Sequence, residues 1–393
     1  MPRAPGLSSA AGALRESIFS RLAGRLAGHG SSGVPLHLGD TYLAPPPALH
    51  LESDDPALWR YGAPAGEPML LEALRRKLHA KNGLSWAQPG NLQVTVGATQ
   101  ALSAAVRALV DPGDEVIVPT PHWPLIRGIL TNAGGVPVEV SLSQRLYADP
   151  SLDAAALIEP HLTPRTVALY LTTPNNPDGK VLERRHLEQL AALARAHDLW
   201  VLADEVYEDL AYARPHLSIA TLPGMAERTV TVFSLSKSFA LAGYRLGYAV
   251  APEPVMKALR KIANHTVYNV PDVLQRAAAR LLDDPAGDRW LAETRRTYLE
   301  ARDLAARLVS APHHLPEGAT YLFVDLSRYV GAGSEALWPL VEQLLDAGVS
   351  ISPGEQFGAG FERHARLCFT AVAPDRLPIG LERFERVLAR ARE

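Results

Sequence analysis

The 393-residue sequence predicts an α/β fold, a mostly parallel sheet covered by helices and joined to a smaller α+β unit. Two observations carry this. Between about residues 92 and 250, short β-branched and apolar runs alternate with longer stretches of helical periodicity. Beyond Pro271 that rhythm gives way to two long helical runs and then widely spaced strands. The length exceeds what one ordinary core sustains. The expected division is a large domain over residues 46–280 and a small domain over residues 281–393, completed by residues 1–45.

In chain order, the first 35 residues are rich in Ala, Gly and Ser and hold one helical candidate over residues 16–26, with Ile18, Leu22 and Leu26 on one face. A short apolar piece, Leu36-His37-Leu38-Gly39-Asp40, and a loop around Tyr61 and Gly62 lead to a helix over residues 68–79. Strands are then expected at 94–96, 115–119, 136–140, 166–171, 199–203, 229–233 and 246–250. Gly97-Ala98-Thr99 is expected as a tight turn before a helix over residues 100–110, and a long helix covers residues 182–197. In the second unit, helices are expected at 273–282, 290–308 and 334–345, and strands at 321–325 and 366–371.

Composition excludes several function classes. With 47% hydrophobic and 21% charged residues and a net charge of −3, the chain has the balance of a water-soluble protein and no basic surplus for nucleic acid or acidic lipid. No apolar run approaches the roughly eighteen residues of a membrane-spanning helix. One cysteine, Cys368, leaves no internal disulfide and no multi-cysteine metal site. Arg3, Arg15, Arg21 and Arg25 among small residues faintly resemble a transit peptide, but Glu16 and the lack of an apolar segment argue against a secretory signal. The expected compartment is the cytoplasm.

Four features fall at strand ends, where ligands gather in open α/β sheets. Lys237 follows the strand ending at Phe233, between Ser236 and Ser238 and ahead of Gly243 and Arg245. A desolvated lysine there can form a Schiff base with a carbonyl compound, although a solvated lysine opening a helix has the same local sequence. Gly97-Ala98-Thr99 presents free N–H groups and a hydroxyl to an anion, or is a turn capped by Thr99. Thr173-Pro174-Asn175-Asn176-Pro177-Asp178-Gly179 fixes a turn that would project amide side chains at the sheet edge, or is equally well a plain turn. Asp204 ends a wholly apolar strand, with Tyr207 three residues on, and either meets a cationic partner or caps a helix. Together, a lysine for an aldehyde, an aspartate for a heterocyclic nitrogen and a turn with Arg245 for a phosphate fit pyridoxal 5′-phosphate (PLP).

On these residues the chain resembles the class I/II aminotransferases among fold-type I PLP enzymes, the group of aspartate aminotransferase-like proteins. The likeness extends to Asn176-Pro177 with Gly179, to the tyrosine–glycine loop at Tyr61, and to Pro353-Gly354, Phe357-Gly358 and Arg366-Leu367. It runs from about Leu36 to Phe369. The resemblance implies a large domain with a mostly parallel seven-stranded sheet and a small domain built from both chain ends. It implies that Lys237 holds PLP and moves the substrate Cα proton, and that Asp204 pairs with the ring nitrogen. Tyr207 and Asn176 would hydrogen-bond the ring oxygen, and Trp123 would stack on the ring. Ala98, Thr99, Ser234 and Arg245, less securely Ser236, would hold the phosphate, joined by Tyr61 of a neighbouring subunit in a homodimer with shared active sites. Arg366, with Gly39 and Asn176, would bind the substrate α-carboxylate. The implied activity is ping-pong transfer of an amino group from an L-amino acid to a 2-oxo acid; a PLP-dependent lyase or cyclase of the same fold is the alternative. Thr173, Asp178, His122 and Pro124 depart from the family pattern; Arg127 either faces a second substrate carboxylate or, as expected, is a surface arginine on the following helix.

Overall fold

Runs of β-branched residues buried on both faces need helices above and below them, and the observed sheet has both. The computed structural model describes residues 6–14, 17–52, 54–333 and 335–391. Across the sheet the strands are Leu92–Val96, Leu246–Val250, Thr229–Ser234, Trp200–Asp204, Thr166–Thr172, Glu115–Thr120 and Val136–Ser141. Six run parallel; Leu246–Val250 is antiparallel to both neighbours. All six residues of Thr229–Ser234 are buried, and Asp204 and Ser234 are the last residues of adjacent strands. The sheet therefore delivers a carboxylate and a hydroxyl to one edge.

One face packs the helix Gly97–Leu109 against Val118, Tyr170, Leu202 and Val232; the other packs Arg184–Ala196 against Leu169, Leu171, Val201 and Ala203. The expected turn at residues 97–99 is instead the first turn of the helix, which begins at Gly97 itself. Arg184–Ala196 starts two residues later than expected because Glu183, its N-cap, is extended. Pro285–Leu308 starts five residues earlier than expected, capped by Asp284 and opened by Pro285, a start signal that periodicity alone does not register. It spans both units: Leu291 packs in the core beside the lysine strand and Ala305 in that of the small domain.

The small domain is a three-stranded antiparallel sheet, Ser352–Pro353, His364–Cys368 and Tyr321–Asp325, with the helices Trp338–Asp346 and Arg376–Ala391. Both chain ends build it. Val34–Pro35 pairs in parallel with Val349–Ser350, and Leu22, Leu26 and Leu36 share one core with Leu344, Leu381 and Phe384. The strand expected at 366–371 ends at Cys368, because Thr370 turns to bond the Asp40 carbonyl oxygen and receives the Tyr42 N–H. The helix expected over residues 16–26 is Ile18–Ala27, preceded by the short helix Ser9–Ala13; Glu16 and Ser334, expected at helix starts, lie outside the described residues, as do Arg3 and Arg15. Among the described residues, no helix is long and apolar enough to cross a membrane.

Candidate active site

A cavity of about 250 Å³ opens where the strands Trp200–Asp204 and Thr229–Ser234 end, between the sheet and the small domain. Its floor is polar. Asp204 is 4% exposed and is held by neutral donors, the Tyr170 hydroxyl at 2.9 Å and the Val206 N–H at 3.4 Å. Burial pushes its carboxyl up to about 6, against the pull of those two bonds and with Glu205 adding repulsion. Lys237 stands on the short helix Leu235–Ser238, capped by the Ser234 hydroxyl, and its ammonium donates to the Gly39 carbonyl. The Tyr207 ring centroid is 6.0 Å from that ammonium.

At the side of the floor, Gly97-Ala98-Thr99 opens its helix toward the cavity, and Arg245 lies over it from the strand that runs back through Gly247. Gly97 has φ of +70°, and a Cβ there would meet Arg245 Nη2 at 2.3 Å. Only glycine lets the guanidinium and the helix start share one concavity, an arrangement that suits an anion. Half-buried Trp123 closes another side, with Pro124 and Leu125 toward solvent.

The opposite wall comes from the small domain. Arg366 is 3% exposed and donates to Asn176 Oδ1 at 2.9 Å, the His37 carbonyl at 2.9 Å and Ser352 Oγ at 3.3 Å, while its Nε has no partner. Among the described residues it pairs with no carboxylate. A buried guanidinium with a free N–H lacks its natural counterion. The bond from Arg366 engages the Asn176 oxygen and leaves the Asn176 amide N–H groups as donors.

Profile comparison matches residues 31–384 to aminotransferase class I and II. The aspartate/prephenate aminotransferase of Thermus thermophilus is 38% identical over 340 residues, 84% of either chain. The arginine–pyruvate transaminase of Pseudomonas aeruginosa is 37% identical over 75% of each chain. Among solved structures, Thermus thermophilus aspartate aminotransferase with maleate superposes with a TM-score of 0.87 at 34% identity, covering 98% of this chain and all of that one. The chain belongs to the class I and II aminotransferases.

As a member of that family it is a PLP-dependent aminotransferase of fold type I, transferring an amino group between an amino acid and a 2-oxo acid. The residues present fit the cofactor. Among the described residues Asp204 is a buried carboxyl without an ion-pair partner, and a protonated ring nitrogen would supply one. The Gly97–Arg245 concavity suits the phosphate, and Lys237 lines the same cavity.

Eleven of the twelve residues singled out from sequence line this cavity: Gly39, Ala98, Thr99, Trp123, Asn176, Asp204, Tyr207, Ser234, Lys237, Arg245 and Arg366. Tyr61 does not; it is 88% exposed and meets Tyr268 edge-on at 5.4 Å between centroids. Ser236 lines the cavity too. The departures from the family pattern serve the frame: Thr173 Oγ1 accepts the Leu182 N–H at 3.0 Å, and buried Asp178 is held by Ser143, Gln144 and Asn175. His122 is buried against the Trp123 carbonyl and Glu139, and Arg127 pairs with the same Glu139 at 3.0 Å, outside the cavity. Sequence alone does not mark Tyr170 or Tyr321 as site residues. The one sign they carry is a hydroxyl within an otherwise apolar strand, which also describes many core tyrosines.

Proposed function

We propose that this cavity is the transamination site and that it accepts α-amino acids through Arg366. The observation that carries the reading is the buried Arg366 guanidinium, without a carboxylate, facing the same cavity as Lys237. Bound here, PLP supplies an aldehyde for the amino group and a ring that accepts the electron pair left when Cα loses its proton. Arg366, braced by Asn176 and the His37 carbonyl, grips the α-carboxylate as a fork and fixes the orientation of Cα. Lys237, once a free amine beside Gly39, would take the Cα proton and deliver it across the nitrogen to the carbon that was the cofactor's aldehyde. Asp204 holds a proton on the ring nitrogen, while Tyr207 and Asn176 donate to the ring oxygen. Ala98, Thr99, Ser234 and Arg245 hold the phosphate, and Trp123 covers the ring. The small-domain wall carrying Arg366 keeps bulk water from the site.

We further propose a homodimer in which each chain's Tyr61 serves the other's phosphate site. The support is the outward placement of Tyr61 and Tyr268, an aromatic pair on the surface. The cytoplasm is the proposed setting, consistent with a single cysteine, which is buried. The named relatives handle side chains of opposite charge, so the panel of donors must include aspartate, arginine and aromatic amino acids. The test is the cofactor's absorption spectrum before and after each amino acid. Loss of the visible band with one donor, and its return on adding a 2-oxo acid, supports transamination. Unaided return with release of ammonia would assign the site to elimination instead.

A further inference from the structure

Tyr321, the first residue of the strand Tyr321–Asp325, connects three parts of the cavity. Its hydroxyl lies 2.6 Å from the Tyr207 hydroxyl, and its ring face carries the Arg366 guanidinium at 4.2 Å. Its third neighbour is Gly39, where a Cβ would stand 2.4 Å from the Tyr321 oxygen. Gly39 does not adopt a left-handed backbone, so the reason for glycine here is space.

Two hydroxyls in contact share one hydrogen bond, and each has one proton to give. If Tyr207 donates to Tyr321, Tyr207 has no proton left for an acceptor in the cavity. If Tyr321 donates to Tyr207, the Tyr207 proton is free to point inward, and the chain of two bonds polarises it into a stronger donor. Burial, reinforced by Tyr321, holds the Tyr207 phenol well above its ordinary range, so it stays a donor. The ring of Tyr321, meanwhile, places a π-face under a guanidinium that has no carboxylate of its own.

We propose that Tyr321 is a positioning residue with two separable duties: its hydroxyl commits the Tyr207 proton to the cofactor's ring oxygen, and its ring supports Arg366 against the substrate carboxylate. Gly39 is part of the same device, since it leaves room for the hydroxyl pair to close. The inference rests on the roles given above to Tyr207 and Arg366.

The test titrates the cofactor's visible absorption against pH in the loaded protein without amino acid, comparing wild type with Tyr321→Phe, Gly39→Ala and Tyr207→Phe. A donor to the ring oxygen favours the less protonated form, so weakening it raises the apparent pKa. Tyr321→Phe is expected to raise it by roughly 0.5–1 unit, the scale of one hydrogen bond. Tyr207→Phe should raise it further, and adding Tyr321→Phe to Tyr207→Phe should change nothing more. Gly39→Ala should reproduce the Tyr321→Phe shift with both hydroxyls present; it carries the test alone should Tyr321→Phe fail to fold. The substrate KM separates the second duty. Tyr321→Phe keeps the ring and should leave KM within about twofold, whereas Tyr321→Leu should raise it roughly five- to tenfold. A shift in Tyr207→Phe with none in Tyr321→Phe or Gly39→Ala overturns the proposal and leaves the Tyr207 role standing. No shift in any variant overturns both.

Discussion

Replacing Asp204 by Asn should stabilise the cofactor-free protein while crippling the enzyme. The side chain is 4% exposed, its two hydrogen-bond donors are neutral, and Glu205 adds like-charge repulsion. Its folded-state value of about 6 lies above the ordinary 3.8, so the folded chain binds the proton more tightly than the unfolded chain. Stability is therefore lost as pH rises from about 4 through about 6, and the full cost is present above that. A shift of about two units corresponds to about 3 kcal/mol near pH 8 and to less than about 1 kcal/mol near pH 4. Asn is isosteric, can still accept from Tyr170, and carries no charge. In urea denaturation of the cofactor-free protein, Asp204→Asn should thus gain about 2–3 kcal/mol near pH 8 and little near pH 4. PLP should stabilise the wild type more than the variant, because only the carboxylate gains a cationic partner. A variant no more stable than wild type near pH 8, or one with the same gain at both pH values, would refute the argument that this carboxylate waits for a cation.

Three further outcomes are expected. Arg366→Lys should raise the amino-acid KM about 100-fold, since a point charge cannot reproduce a buried fork worth about 3 kcal/mol; a KM within twofold of wild type would remove Arg366 from the carboxylate site. If each Tyr61 serves the other subunit, inactive Lys237→Ala and impaired Tyr61→Ala chains should complement when mixed and reassociated, because a mixed dimer holds one complete site; steady-state activity that fails to rise would argue against sharing. Glu139 is drawn down to about 2 by His122 first, then by the Ala359 N–H and Arg127. Its contribution is present above its ordinary 4.5 and lost as pH falls toward 2. Glu139→Gln should therefore cost about 1–2 kcal/mol at neutral pH, allowing for solvent at the Arg127 end, with the difference vanishing in acid melts.

The sequence displayed those parts of the site that sit at strand ends. A strand buried on both faces reads as an apolar run, so a polar residue closing it, such as Asp204 or Ser234, stands out and lies at the sheet edge. The helices Glu253–Thr266 and Arg376–Ala391 are not among the expected elements, although the last has Leu377, Leu381, Phe384 and Leu388 on one face. Their periodicity was present but had no motif beside it. Tyr321 was illegible for a different reason. Its partner Tyr207 is 114 residues away, and nothing local distinguishes it from a tyrosine that merely fills a core.

The proposed carboxylate site is assembled from segments far apart in the chain, and on that proposal its function depends on their docking. Arg366 is held by Asn176 from a loop of the large domain, 190 residues away, and by the His37 carbonyl from the N-terminal segment, 329 residues away. The Gly39 carbonyl, two residues beyond His37, receives the Lys237 ammonium. Three distant segments thus meet at one guanidinium, and none of them forms a carboxylate pocket alone. Docking of the small domain and the N-terminal segment against the sheet is then a condition for gripping the substrate. A substitution that loosens either contact should raise KM even where it touches neither substrate nor cofactor.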